Sequence, residues 1–323
     1  MPTINYSAAL PPDIYTQNSA GAVNLGNYIN TLRSDISFLI KQLFANSEQG
    51  FTQTLDDYSI LFQDAAGTTA LTGAGQTLGL VLDKSKGLVL GGELSVNGDF
   101  STNDFTGWTH PDTAPAVTSV ANQQVTMTVT STALARLRQA VTVPAGYYKI
   151  SLDVKSITGT PQAALAIGNT TSGDATYYNQ TLTSAKTYSF ILYIQSGTLG
   201  LAFTAGSSVG GSITMDNISI KSLSGNHSYQ TASSMRPLLQ NAPRRIQYDG
   251  IDDKLTTTLP AQLTGCTVIR AIPNVGCQIL TNQTIATPYN DSTNHCGLIV
   301  INRALTAYET SLVTQLFNKL AGV

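Results

Sequence analysis

Charge is scarce in this chain. Of 323 residues, 11% are Asp, Glu, Lys or Arg, less than half the usual share of a soluble domain. The formal net charge is -2 and no basic run occurs, so the electrostatic footprint of a nucleic-acid binder is missing. Glutamate is rarer still, with Glu48, Glu93 and Glu309 making up the whole set. Cysteine is limited to Cys266, Cys277 and Cys296, an odd count without Cys-x-x-Cys spacing. That pattern argues against a zinc site or a disulfide framework and favours buried, reduced thiols. No stretch approaches the roughly 20 consecutive apolar residues of a membrane-spanning helix. Met1-Pro2-Thr3-Ile4-Asn5-Tyr6 lacks the basic and apolar regions of a secretory signal, so folding in a cytosol is expected.

Thr, Ser, Asn, Gln and Gly take the place of the missing charges, a composition that suits strands and turns better than exposed helices. With 42% hydrophobic residues, the length allows two or three domains, each with its own core. Tyr148, Ile150, Leu152 and Val154 alternate with Lys149, Ser151 and Asp153, the mark of a half-buried antiparallel strand. Tyr188, Phe190, Leu192 and Ile194 repeat that period. Ile213, Met215, Ile218 and Ile220 keep it, with a register change at Asp216-Asn217 that predicts a bulge. Short apolar runs at Tyr58-Ser59-Ile60-Leu61-Phe62, Leu78-Gly79-Leu80-Val81-Leu82, Cys266 to Arg270 and Leu298 to Ile301 read as further buried strands.

Helices are expected at the two ends only. Leu25, Ile29, Leu32, Ile36, Leu39 and Leu43 recur at spacings of four and three, which is seam periodicity. Tyr28, Phe38, Ile40 and Phe44 widen the stripe. Self-association, docking on a neighbouring protein and packing on the chain's own sheets all fit, and each makes this an assembly helix. Near the other end, Thr306-Ala307-Tyr308-Glu309 forms a capping box. Leu312, Val313, Leu316, Phe317 and Leu320 follow on one helical face.

One string looks as though it had been cut in two. Leu82-Asp83-Lys84-Ser85 and Gly225-Asn226-His227, followed by Thr231 to Pro237 and Ile246 to Asp253, together resemble the concanavalin-like (laminin-G-like) sandwich modules of tailed-bacteriophage structural proteins. Ser59 to Ser85 resembles a string of phage tail and head-associated proteins, and Asn302-Arg303-Ala304-Leu305-Thr306 resembles the terminal segment of the same modules. Val96-Asn97-Gly98-Asp99-Phe100, Phe105-Thr106-Gly107-Trp108 and Ile213 to Ile220 resemble the first and last strands of galactose-binding-like carbohydrate-binding jelly rolls. The resemblance implies a mainly β protein of two antiparallel β-sandwich domains, one inserted in the other, plus the two terminal helices. The expected limits are an arm and anchoring helix at 1–50, an interrupted sandwich at 51–86 and 223–323, and an inserted jelly roll at 87–222. It further implies a non-enzymatic virion protein, assembled in a host cytoplasm, with capsid or tail proteins as partners, a homo-oligomeric state and a host surface glycan as a further ligand. A capsid decoration subunit that binds no glycan is the alternative within this class. A glycoside hydrolase is the alternative outside it.

The chemistry-bearing residues divide accordingly. Retaining hydrolases need two carboxylates about 5 Å apart, and the three glutamates stand in a linker, a domain approach and a helix cap. Asp252 and Asp253 are adjacent and would face opposite ways in a strand, so a turn is expected there. His110, His227 and His295 have no nucleophile elbow nearby. For sugar binding, aromatic faces stack on pyranose rings while amides read hydroxyls. Tyr147, Tyr177, Tyr178, Asn179, Gln180 and Tyr193 are the candidates, with core or strand packing as the alternative for each. Trp108 is expected in the core. The jelly-roll resemblance implies a structural calcium joining first and last strands, with Asn97, Asp99 and Asp216 as its ligands; no other cofactor is expected.

Overall fold

A computed structural model describes residues 35–130, 133–172, 174–206 and 210–323. Leu25, Ile29 and Leu32 of the apolar seam lie outside the described residues. Helix α1 (Ile36–Leu43) is followed by β1 (Gly50–Gln53), β2 (Leu61–Phe62) and β3 (Leu80–Val81). The middle stretch carries β4 (Leu90–Glu93), β5 (Val117–Ala121), β6 (Gln124–Val129), β7 (Leu134–Val143) and β8 (Gly146–Gly159). It continues with β9 (Ala163–Gly168), β10 (Tyr178–Leu182), β11 (Thr187–Ile194), β12 (Gly197–Gly206) and β13 (Gly211–Leu223). Beyond it come β14 (Ser228–Tyr229), β15 (Leu238–Gln240), β16 (Arg245–Gln247) and β17 (Leu255–Thr257). The chain closes with β18 (Leu263–Ile272), β19 (Gly276–Ile285), β20 (Tyr289–Asp291), β21 (Leu298–Ile301) and α2 (Ala307–Ala321). The described fold is therefore mainly β, and its named strand pairs are antiparallel.

Strands from before and after the middle stretch belong to common sheets. One has the order β1-β21-β18-β19, with Phe51 opposite Val300. Another has the order β2-β3-β14-β17-β20, with Val81 opposite Ser228. The Leu-Ile-Val-Ile run of β21 is buried on both faces, as an uninterrupted apolar strand requires. Ile299 and Ile301 meet Ile269, Ala271 and the helices, while Leu298 and Val300 meet Phe51 and Val268. Ile36, Leu39, Ile40 and Leu43 of α1 pack into one cluster with Leu312, Val313, Leu316 and Phe317 of α2. The described part of the expected assembly helix is thus committed within the chain, and Ile36, Leu39 and Leu43 are not free for a partner.

Arg303 fixes the two helices together. It pairs with Glu309 at 2.6 and 2.9 Å, reaches Glu48 at 3.2 Å and donates to the Leu43 carbonyl. The capping box forms in full, with Glu309 N donating to Thr306 Oγ1 and Thr306 N donating to the Glu309 carboxylate. Residues 58–62 depart from the expected strand. Asp57 accepts from Ser59 N and Oγ, which turns Tyr58–Ile60 into a 3-10 helix and leaves Leu61–Phe62 extended. The second run shortens likewise to Leu80–Val81.

The space between the two flanking sheets is part apolar, where Phe51, Val268, Leu298 and Val300 pack with Tyr289 of β20, and part polar. Gln53 donates to Ser228 Oγ at 3.0 Å, and Ser228 shares a 2.7 Å hydroxyl bond with Thr257. His295 Nε2 lies 2.9 Å from both Gln53 and Asp291. Tyr248 and Arg270 also donate to Asp291, so the buried carboxylate is compensated from several sides. Burial pushes the Asp291 carboxyl up, but His295, Arg270 and Tyr248 outweigh it and hold the group below the usual carboxylate range.

The middle stretch makes two sheets, β10-β9-β12-β7 and β11-β8-β13-β6-β5 with β4 on β13. Phe190, Ile150 and Met215 from one and Leu165, Leu201 and Phe203 from the other share one apolar cluster, which gives a two-layer sandwich. The register of β13 shifts between Asp216 and Ser219, where Asn217 adopts a φ of 51°. Trp108 lies in this core and donates to the Asn97 carbonyl.

The chain's passage into the middle stretch and its passage out converge on Asp83. The buried Asp83 carboxylate accepts from Thr52 N and Oγ1, Ser85 N and Oγ, and Asn226 N, all at 2.7–3.0 Å. Its own amide donates to His227 Nδ1 at 2.9 Å. Gly225 makes the turn at a φ of 130°, where a Cβ would fall 2.7 Å from the His227 ring. Burial pushes the Asp83 carboxyl up and drops His227 from 6.5 to about 3.

Asp83→Asn puts an amide donor among donors and is expected to cost about 2–4 kcal/mol in chemical denaturation. The unfolded chain protonates His227 below its ordinary 6.5, while the fold resists until about 3. Its contribution is therefore complete above that window and declines by up to about 1.4 kcal/mol per pH unit as pH falls through it. Asp83, shifted upward, acts in the opposite sense, its contribution declining as pH rises. Subtracting the stability curve of His227→Asn from that of the parent protein isolates the histidine slope.

Candidate functional site

The seam between the middle stretch and the flanking strands holds a cleft of about 560 Å³. Its first wall is the loop 64–69. The Asp64 carboxylate organises that loop by accepting from Ala66 N, Thr68 N, Thr68 Oγ1 and Thr69 N at 2.7–3.1 Å. Ile191 N of β11 donates to the Ala66 carbonyl, which docks the loop on the middle sandwich. Gly79, just before β3, lets the start of the loop lie against the flanking sheet, because a Cβ there would come within 2.6 Å of the Asp64 backbone.

Tyrosines make the second wall. Tyr147 stands opposite Tyr193 across β8 and β11, with ring centres 5.3 Å apart. The Tyr147 ring lies 4.4 Å from His227 and 6.4 Å from Tyr229. Its hydroxyl donates to the His227 carbonyl at 2.7 Å, so the cleft is joined directly to the Asp83 node. Tyr177, Tyr178 and Tyr229 also line the cleft and are half-buried. Burial, with Tyr229 beside it, pushes the Tyr193 phenol above its ordinary range. Arg236 closes the rim by donating to the carbonyls of Gln230, Gln63 and Thr231. Asn169 and Gln195 bring exposed amides.

A second cleft, of about 480 Å³, shares Tyr147 and Tyr193 and continues toward Tyr148, Ser224, Thr258 and Pro260. Tyr148 donates to the Pro144 carbonyl there.

Four of the six predicted sugar-contacting residues therefore gather at one place: Tyr147, Tyr177, Tyr178 and Tyr193. Tyr147 is 4% exposed, and its ring is enclosed by neighbours. It supports the wall instead of offering an open face, because the polar-looking side of β8 is covered by the flanking strands. Asn179 and Gln180 do not line the cleft; Gln180 donates to the Thr181 carbonyl. Sequence reasoning missed Tyr229, Arg236 and the loop 64–69. Tyr229 stands just after the Gly225-Asn226-His227 string, which was the available signal.

Of the predicted calcium ligands, Asp216 lies 3.5 Å from Lys155 and Asp99 accepts from Ser101. The Asn97 side chain donates to the Asp104 carbonyl. Ile218 N donates to the Gly98 carbonyl, so the turn that follows β4 meets β13 beside these residues. Asp249, Asp252 and Asp253 bring carboxylate oxygens within 4.8 Å of one another. The Asp249 carboxylate accepts from Ile251, Asp252 and Asp253 amides, which is the expected turn. Glu93 accepts from Ser219 and Ile220 and holds β4 to β13. All three glutamates thus bind structural elements together.

No family model matches the sequence, and no curated protein matches it. Among solved structures, the chain is similar to the enzymatically active domain of tailspike protein 4 of bacteriophage CBA120. That match has 19% identity and a TM-score of 0.32, covering 41% of this chain and 21% of that one. The chain thus spans about a fifth of the length of that tailspike domain. It is also similar to CBM4, at 17% identity and a TM-score of 0.32, covering 40% of this chain and 99% of that one. TmCBM61 in complex with β-1,4-galactotriose matches at 14% identity and a TM-score of 0.30, covering 40% and 98%.

Asp64→Ala removes four acceptor contacts from the loop 64–69. Hydrogen exchange of the Ala66, Thr68 and Thr69 amides should accelerate by at least about tenfold, while exchange in β21 stays unchanged.

Proposed function

We propose that this protein is a non-enzymatic structural and adhesion subunit of a tailed-phage virion, and that it holds a glycan in the tyrosine cleft. In this reading the flanking segments form one sandwich and the middle stretch is a jelly roll inserted into it. Partner virion proteins engage the N-terminal segment, subunits associate, and the sandwiches face outward to a host surface. The observation that carries the reading is the convergence of Tyr177, Tyr178, Tyr193 and Tyr229 with the Asn169 and Gln195 amides on one cleft. Aromatic faces and amides are the chemistry that recognises pyranose rings and their hydroxyls. Many modest sites on one particle supply avidity without tight individual binding.

A second reading, a decoration subunit held by protein contacts, is favoured by the exposed Val89, Leu90, Leu94 and Val96 along one edge. A glycan array probed with the full chain separates the two. Adhesion predicts binding that weakens about tenfold, or about 1.4 kcal/mol, in Tyr193→Ala and Tyr229→Ala. Binding to purified capsids with no glycan bound would instead select decoration. Hydrolysis of a bound glycan would overturn the non-enzymatic assignment.

A further inference from the structure

Resting on that glycan reading, we infer that the two seam clefts form one track that takes an extended sugar chain along its interior, not a terminal sugar. Both clefts are lined by Tyr147 and Tyr193. Tyr147 sits in β8 with Tyr193 opposite on β11 and Leu223 opposite on β13. Neighbouring strands stand about 4.8 Å apart, so this lining crosses three strands at the end of one sheet. The first cleft extends from the tyrosine pair toward Asn169 and Arg236. The second extends toward Ser224 and Thr258. A pocket for a chain end would close at the aromatic pair; here the lining continues on both sides of it.

The distribution of groups fits a polymer. Tyr193 and Tyr229 provide apolar surface, while Asn169, Gln195 and Thr176 bring neutral polar groups to the first cleft and Ser224, Asn226 and Thr258 bring them to the second. Volumes of about 560 and 480 Å³ are each within the usual range of a single small-molecule site, so a monosaccharide fills neither. The charged lining groups of the first cleft, Asp64 and Arg236, are engaged with backbone. Recognition therefore falls to stacking and neutral hydrogen bonds, which suits an uncharged chain.

The test is calorimetric titration of the full chain with manno-, cello- and β-1,4-galacto-oligosaccharides, from monosaccharide to hexasaccharide. Affinity for the preferred series should rise by at least about tenfold between trisaccharide and hexasaccharide. Ala145→Trp, on an exposed bend lining only the second cleft, should remove that gain and leave trisaccharide affinity unchanged. Unchanged trisaccharide binding also reports that the variant is folded. Full affinity already reached by a monosaccharide, or a hexasaccharide gain that survives Ala145→Trp, would overturn the track while leaving the glycan reading intact. Binding of no oligosaccharide in any series would overturn both.

Discussion

A carboxylate taken out of water is tolerated only when donors surround it, and the buried Asp83 imposes that demand on the whole architecture. Its donors come from Thr52, Ser85 and Asn226, residues on both sides of the middle stretch. The node therefore closes only when both flanks are in place. His227 extends it, accepting from the Asp83 amide and offering its own carbonyl to Tyr147. One continuous set of bonds thus runs from the join of the flanks to the wall of the cleft.

Both parts of the chain have apolar clusters, and the flanking part adds a buried polar one. The middle stretch is held by aliphatic and aromatic side chains shared between two sheets. The flanking sheets enclose Gln53, Ser228, Thr257, Asp291 and His295, each at most 1% exposed. Scarcity of charge makes each ionic group consequential, and most of those described hold one element to another. Arg303 joins the helices, Glu93 secures β4, and Asp64 shapes a wall of the cleft. The cleft lies at the seam because neither part alone supplies both of its walls.

Much of the local structure was legible in the sequence. The capping box at Thr306 and Glu309, the alternation from Tyr148 to Val154 and the irregularity at Asp216-Asn217 depend on nearest neighbours, and the structure has all three. The 3-10 helix at Tyr58–Ile60 was hidden because one Asp57 side chain overrides an apolar run. The burial of Tyr147 was not legible, because alternation reports which residues share a face, not what later covers it. The buried polar cluster between the flanking sheets left no periodic signal, since Gln53 and His295 meet across 242 positions. Half of the cleft was legible as tyrosine-rich strands; the loop 64–69 and Arg236 were not, because their contacts depend on tertiary closure.

Whether the flanks form one folded body is decided by native-state hydrogen exchange, comparing the amides of Leu80 and Val81 with those of Tyr229 and Thr257. A single body requires these amides to exchange through a common opening, with the same free energy and the same denaturant dependence. Exchange of Leu80 and Val81 through a separate, lower-energy opening, with Tyr229 and Thr257 still protected, would show instead that the two flanks fold independently.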